Sequence, residues 1–246
     1  MLDTSRAKEL RDRESVMNEF VGFPAETFTF LTEIAAHNEK TWFDAHRPLY
    51  EAGYVAPARA FVAALGPRLM RVSPGVQFEP KVNGSLQRIN RDIRFSKDKR
   101  PYTTHLNAWF WHGSRKGWDA PGFWFQLTPE HVWLGVGLHN MQGEVLEAYR
   151  QSVIHPRSAK ALLAALAQVE AAGRYEIGEK TRKLTPRGYA MDGPAAEYLL
   201  YESLHAFAEL PAEAARQSDF AELCARHYRA MWPIGKWLLD EVSSGD

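Results

Sequence analysis

The chain has 246 residues, of which 45% are hydrophobic and 24% charged, and its 30 basic residues balance 30 acidic ones. This composition is typical of a globular protein and excludes disordered, collagen-like and strongly basic chains. The single cysteine, Cys224, excludes an internal disulfide and is typical of a reducing compartment, so we expect a cytoplasmic protein. The sequence has no long apolar run and no signal-peptide pattern, so we expect no membrane span and no secretion.

Helical spacing of apolar residues dominates the first third of the chain. It predicts helices over residues 26–36 and 39–50. Pro57 suits the first turn of a third helix, which Pro74-Gly75 then ends.

In the middle of the chain the apolar pattern changes to strict alternation, which predicts strands at 105–112, 123–127 and 131–138. Thr128-Pro129-Glu130 has the composition of a hairpin turn, so the last two strands should pair antiparallel. One face of these strands is apolar, and the other is polar and aromatic. The second face would carry His105, Asn107, Trp109, Trp111, Trp124, His131, Trp133 and His139.

Helical spacing returns in the C-terminal part, around a turn-rich stretch at 180–194. The predicted helices span 144–154, 158–171, 194–208, 218–231 and 233–242, and Pro233 begins the last. Helices on both sides of a central antiparallel meander predict an α+β fold. We expect one α+β domain over 23–243, preceded by a polar N-terminal arm at 1–22.

The segment from 88 to 105, RINRDIRFSKDKRPYTTH, is densely charged. Its alternation predicts a strand to residue 95, followed by a turn and the next strand. Guanidinium groups on a rigid strand bind phosphate or carboxylate. Two carboxylates, Asp92 and Asp98, cannot neutralise the six nearby cations, and arginines on either side should hold Asp92 ionised.

The sequence therefore predicts a binding site for an anionic small molecule at this strand and loop. The predicted ligand-binding residues are Arg88, Arg91, Asp92, Arg94, Lys97, Lys99, Arg100 and Trp109. The sequence leaves open whether the ligand is only bound or also turned over. Two alternatives stay open: the same patch contacts nucleic acid, or the chain is a structural or protein-interaction domain whose arginines form an internal ion-pair network, with counter-charge from the acidic C-terminal region.

The polar face of the sheet is the second candidate. Its tryptophans and histidines form either a platform on which aromatic ligands stack or a core covered by helices. Because histidine titrates near neutrality, His105 and His139 are candidate proton-transfer residues, and Tyr102 is a third.

Motifs for cofactors and metals are incomplete. Gly135-Val-Gly-Leu-His-Asn140 lacks the third glycine of a dinucleotide fingerprint, and the chain has no Walker, HExxH or GxSxG motif. Cys224 and His227 share a helical face, but two ligands do not make a zinc site. We expect no cofactor and no metal.

Several stretches resemble a family of conserved hypothetical proteins, a domain of unknown function. The most distinctive is RDIRFSKDKRPY at 91–102; the other matching residues are FPAETF at 23–28, Asn38, Trp42-Phe43, His46, Tyr50, PRGY at 186–189, Asp219-Phe220, Trp232-Pro233 and Trp237-Leu238. The resemblance spans about residues 23–240 and implies one domain with 88–105 as its signature. It supplies no activity and no catalytic residue. Glu202 departs from the family, in which the resemblance leads us to expect a lysine.

Overall fold

The N-terminal part of the described chain is helical. The structure is a computed structural model and describes residues 20–113, 119–178, 180–190 and 192–243. The first helices are α1 (Ala25–Ala36), α2 (Lys40–Ala45), α3 (Arg47–Tyr50), a π-helical turn (Glu51–Val55) and α4 (Ala56–Met70). The predicted helix over 39–50 is broken at His46 (φ −110°, ψ 21°), because Pro48 has no amide hydrogen to donate to the carbonyl four residues earlier; Pro48 lies in the first turn of a new helix. Pro57 lies in the first turn of α4, as predicted.

A five-stranded sheet forms the centre of the molecule. Its strands are β1 (Leu106–Trp111), β2 (Gly122–Leu127), β3 (His131–Leu138), β4 (Glu176–Ile177) and β5 (Leu204–Pro211), in the order β1-β2-β3-β5-β4 with every pair antiparallel. The predicted hairpin is confirmed: the amide of Thr128 donates to the carbonyl of His131 (2.8 Å) and closes the turn between β2 and β3. The predicted α+β class is confirmed.

The C-terminal part differs from the prediction in two places. It contains α5 (Gly143–Ile154), α6 (Pro156–Ala172), two 3₁₀ turns (Ala196–Leu200 and Ala212–Arg216) and α7 (Phe220–Glu241). The predicted helix over 194–208 is wrong, because β5 begins at Leu204 and completes the sheet against β3. The two helices predicted over 218–231 and 233–242 form a single helix, since α7 continues through Pro233. A proline removes one backbone hydrogen bond, and the packing of α7 on β3, α4 and α6 offsets that loss.

The helices pack on one face of the sheet, where the hydrophobic core lies. The inward strand residues are almost fully buried: Leu106, Ala108, Phe110, Phe123, Phe125, Val132, Leu134 and Val136. An aromatic cluster joins α4, α7 and the sheet, with the Phe61 ring 4.5 Å from that of Phe125 and 5.6 Å from that of Phe220. Phe20, within the predicted arm, packs against Phe61 (5.2 Å) in this cluster, and residues 1–19 of the arm lie outside the described residues.

The opposite face of the sheet, which we call the outer face, carries the polar and aromatic alternates of each strand. Cross-strand register sets Gln126 between Asn107 and Trp133, and Trp109 beside Trp124. Asn107, Trp109, Trp124, Gln126 and Trp133 are half-buried. Trp111, predicted for the same platform, is buried (3% exposed), and its backbone pairs with Gln77 at the edge of the sheet.

Candidate functional site

Residues 88–104 form a projecting loop whose ends are held together. The amide of Arg91 donates to the carbonyl of Pro101 (2.9 Å), and that of Thr103 donates to the carbonyl of Ile89 (2.8 Å). Between these bonds lies only one isolated bridge, Asn90 to Tyr102. The predicted strand over 88–95 is therefore wrong: the chain pairs briefly and then opens into a loop at 92–100, which we call the cationic loop.

Two aspartates organise the cationic loop by bonding to the residue two positions on. Asp92 Oδ1 accepts from the amide of Arg94 (3.2 Å), and Asp92 Oδ2 accepts from its guanidinium (2.6 Å). Asp98 binds Arg100 in the same way, at 3.0 Å and 2.8 Å. The hydrogen bonds from these arginines lower the pKa of each carboxyl. Such local side-chain bonds to the backbone compete with strand pairing, which explains why the alternation did not produce a strand.

The six cations of this segment divide into two groups. Arg94 and Arg100 hold the aspartates, Arg91 donates to Asp98 (2.9 Å) and to the carbonyl of Arg100 (2.9 Å), and Lys99 donates to the carbonyl of Ile93 (3.0 Å). Among the described residues, Arg88 and Lys97 have no hydrogen-bonded or ion-pair partner. Arg88 acts on Asp92 only through its charge, which contributes to the lowered pKa of that carboxyl.

Asn38 and Phe43 fix the base of the loop. The Asn38 side chain accepts from the Tyr102 amide (3.0 Å) and donates to the Tyr102 carbonyl (3.1 Å), while the Phe43 ring stacks on the Tyr102 ring at 4.4 Å. Tyr102 is thus a buried anchor, 5% exposed. Reasoning from residue chemistry missed Asn38 as part of the site, although Asn38 belongs to the pattern of the family resemblance.

An open cleft of about 500 Å³ lies at the base of the loop, between it and the edge of the sheet. Its lining residues are Asn83, Gly84, Leu86, Gln87, Arg88, Asn90, Arg91, Asp92 and Thr103. Three of the predicted ligand-binding residues, Arg88, Arg91 and Asp92, therefore share one cavity. The predicted residues Arg94, Lys97, Lys99 and Arg100 are exposed on the loop and do not line the cleft.

A row of side-chain amides connects the cleft to the outer face. Asn107 Nδ2 donates to Gln87 Oε1 (3.0 Å), and Gln126 Nε2 donates to Asn107 Oδ1 (3.1 Å). Gln87 lines the cleft, Asn107 lies in β1 and Gln126 in β2. The row thus fixes the orientation of three polar side chains from the cleft onto the sheet.

The tryptophans of the outer face lie over glycines. A Cβ placed on Gly122 would overlap the Trp109 ring, and one placed on Gly135 would overlap the Trp124 ring. These glycines let each indole lie against the backbone of the neighbouring strand. Trp133 packs beside His131 with ring centroids 5.3 Å apart, and His131 Nδ1 lies 2.5 Å from Glu209 Oε1.

The two candidate histidines lie at opposite ends of the sheet. His105 precedes β1, two residues after Thr103, which lines the cleft. Burial lowers the pKa of His105, and the positive charge of Arg91 lowers it further. His139 follows β3 at the far end, where its ring lies 4.0 Å from that of His205. Burial lowers the pKa of His139, and burial together with the charge of His139 lowers that of His205 to about 3. Of the two predicted histidines, His105 is the one that belongs to the charged segment at 88–105.

Glu202, the departure from the family pattern, is an ion-pair centre. Its carboxylate accepts from Arg182 (2.9 Å) and lies 3.4 Å from Arg150, and its amide donates to Thr181 Oγ1 (3.1 Å). The family resemblance leads us to expect a lysine at this position. The structure has instead a carboxylate that pairs with two arginines.

The remaining sequence candidates are structural. Cys224 is fully buried in α7, which raises the pKa of its thiol, and His227 is hydrogen-bonded to the Tyr175 hydroxyl (3.1 Å). Within the described ranges no cluster of three or more His, Cys, Asp or Glu side chains could hold a metal ion. No helix in the described part of the chain combines the length and the hydropathy that a membrane span requires.

Comparison with known proteins agrees with the resemblance found in the sequence. A family model described as conserved hypothetical protein (DUF2461) matches residues 26–237. The chain belongs to this family. The matched range runs from α1 into α7, so the family unit includes the sheet, the cationic loop and the cleft. No curated protein sequence matches the chain.

Proposed function

We propose that the protein binds a small anionic molecule, bearing phosphate or carboxylate, in the cleft at the base of the cationic loop. The observation that carries the proposal is the guanidinium of Arg88, which lines the cleft without a protein partner among the described residues. Arg91 lines the same cleft and is held by Asp98, so it adds a fixed positive charge. Asn83, Gln87 and Asn90 add neutral polar groups. We place this function in the cytoplasm, because the single cysteine is typical of a reducing compartment.

Thermal unfolding with orthophosphate, pyrophosphate and citrate tests this proposal. A bound anion stabilises the native state by about 2.7 kcal/mol at a hundredfold excess over Kd, so the melting temperature should rise. Arg88→Gln removes a charge-assisted hydrogen bond and should weaken binding by roughly tenfold or more. Arg157→Gln, which removes an exposed arginine in the first turn of α6, is the matched control and should bind as the wild type does. A melting temperature that none of these anions raises would contradict the proposal.

A second candidate function is the binding of single-stranded nucleic acid by the cationic loop. Phe95 at its tip is 95% exposed, and the Arg94 guanidinium lies 5.9 Å from its ring centre. An aromatic ring among cations is typical of surfaces on which bases stack. Filter binding of an oligonucleotide at two salt concentrations separates the functions, because several phosphate contacts give a steep salt dependence. Phe95→Ala should weaken oligonucleotide binding by roughly 5- to 150-fold, the effect of one lost base stack, and it should leave the binding of small anions in the cleft unchanged.

A further inference from the structure

The cleft is continuous with a surface on which a planar ring can lie. Gln87 belongs to the cleft, and its side chain bonds to Asn107 on the outer face of β1. Trp109 is the next residue of β1 on that face, about 7 Å further along at the usual rise of a strand. A ligand whose charged group lies between Arg88 and Arg91 can therefore reach Trp109 across the amide row.

The indoles of the outer face are set as a stacking surface. Trp109 lies over Gly122 and Trp124 over Gly135, so one side of each indole ring contacts a glycine of the neighbouring strand. Both tryptophans are half-buried, and register places them directly side by side on β1 and β2. Tryptophans on a rigid sheet offer a large aromatic surface at little entropic cost, which is how proteins hold flat rings.

The amide row has unused hydrogen-bonding groups at its ends. Its two bonds use Gln87 Oε1, both ends of Asn107 and Gln126 Nε2. Gln87 Nε2 and Gln126 Oε1 have no partner among the described residues, which leaves one amide NH2 group as donor and one carbonyl oxygen as acceptor. A heterocycle with donors and acceptors on its edge matches this pair, whereas a bare inorganic anion does not use it.

We propose that the ligand of the cleft is a nucleoside phosphate, with its phosphate against Arg88 and Arg91 and its base on the outer face beside Trp109. The inference rests on the proposed anion site and names the ligand class of that site. The amide row between the two parts contacts the sugar and the edge of the base. The tryptophans thus determine which anions the cleft prefers.

Isothermal titration of the full chain with AMP, ribose 5-phosphate and pyrophosphate tests the inference. Stacking of one base on an aromatic side chain raises affinity by roughly 5- to 150-fold, so AMP should bind at least about fivefold more tightly than ribose 5-phosphate. Trp109→Leu should reduce AMP binding to the level of ribose 5-phosphate and leave the latter unchanged. Trp109→Phe should retain part of the preference.

Two controls separate the possible outcomes. Trp42→Leu removes a half-buried tryptophan that stacks on His46 (4.1 Å) in the N-terminal helices, and the preference for AMP should persist. If Trp109→Leu does not fold, the indole N–H resonances of the wild-type protein in an NMR spectrum serve as the second measurement. Addition of AMP should shift the resonances of Trp109 and Trp124. The resonance of Trp237, whose indole N–H donates to the Ser158 carbonyl (3.0 Å), should not move.

Equal affinities for AMP and ribose 5-phosphate, or unmoved Trp109 and Trp124 resonances with AMP bound, would overturn the nucleoside inference while leaving the anion site intact. If neither pyrophosphate nor either phosphate ester binds, the anion site fails as well.

Discussion

Asn38 shows how one side chain determines the position of a whole loop. Its amide group forms both hydrogen bonds that the Tyr102 backbone would otherwise make in a strand, and it also donates to the Ile34 carbonyl (3.1 Å) at the end of α1. The loop that carries the cations is thereby tied to the first helix of the domain. Because the bonded atoms are 64 residues apart in sequence, no local pattern reveals this contact.

Asn38→Ala should destabilise the protein by roughly 1–3 kcal/mol, since it leaves a backbone amide and a carbonyl of Tyr102 without their partner. Chemical denaturation measures the change. Asn90→Ala is the matched control: Asn90 is exposed in the same segment and its side chain forms no hydrogen bond with the described residues, so its loss should cost less than about 0.5 kcal/mol. Equal effects of the two variants would show that the Asn38 contacts do not stabilise the loop.

Residue chemistry identified the cations correctly but not their partners. Arg94 lies two residues after Asp92, and Arg100 lies two residues after Asp98. Each arginine forms an ion pair with the aspartate that precedes it. The spacing is visible in the sequence, whereas the bond depends on a turn that the alternating pattern concealed. Arg88 has no aspartate at that spacing before it, and it is the arginine that lines the cleft without a partner in the described chain.

Among the elements, those with one fully apolar face were predictable. In β1, β2 and β3 the inward residues other than Ala108 are large and aliphatic or aromatic, so alternation alone predicted the strands and the hairpin. In β5 two of the inward positions are Ala206 and Ala208, which favour helix in isolation, and the strand forms because β3 supplies the hydrogen-bonding partner. Tertiary context therefore overrides local preference there.

The segment from 88 to 105 shows the opposite error: a strand was predicted where the chain forms a loop. Its early residues alternate as a strand does, yet only Asn90 and Tyr102 form a bridge. Bonds from Asp92 and Asp98 to the backbone two residues on take the place of strand pairing. Of the residues predicted from the sequence, Arg88, Arg91 and Asp92 line the cleft, whereas the cleft itself depends on the pairing of residues 89–91 with 101–103, which the sequence does not show.

At the scale of the whole molecule, the two faces of the sheet have different roles. The inner face joins the helices in one hydrophobic cluster, and the outer face keeps Trp109, Trp124 and Trp133, its side-chain amides, and His139 and His205 half-buried. His139 and His205 form the far end of this face. Their lowered pKa values make the stability of the entire fold depend on pH.

We expect stability to fall as the pH drops below about 6.5. An unfolded histidine binds a proton near this pH, but native His205, with a pKa of about 3, does not, so protonation favours the unfolded chain between these values. His205 alone should contribute about 1.4 kcal/mol per pH unit within that window. Urea denaturation at about pH 7 and about pH 5 measures the slope.

His205→Gln should flatten this pH dependence because it removes the group that must stay neutral. His155→Gln is the control, since His155 is exposed at the start of α6 and its loss should leave the slope unchanged. A slope for His205→Gln as steep as that of the wild type would assign the acid sensitivity to other groups.

The burial of Cys224 gives the protein a built-in reporter. Cys224 is 0% exposed within α7, which packs on β3, and burial raises the pKa of its thiol. Alkylating reagents need an accessible thiolate, so they do not react with Cys224 in the native fold. Labelling then proceeds only through molecules in which the helix has left the sheet. The rate of alkylation therefore measures how often this layer opens, with no probe added to the chain.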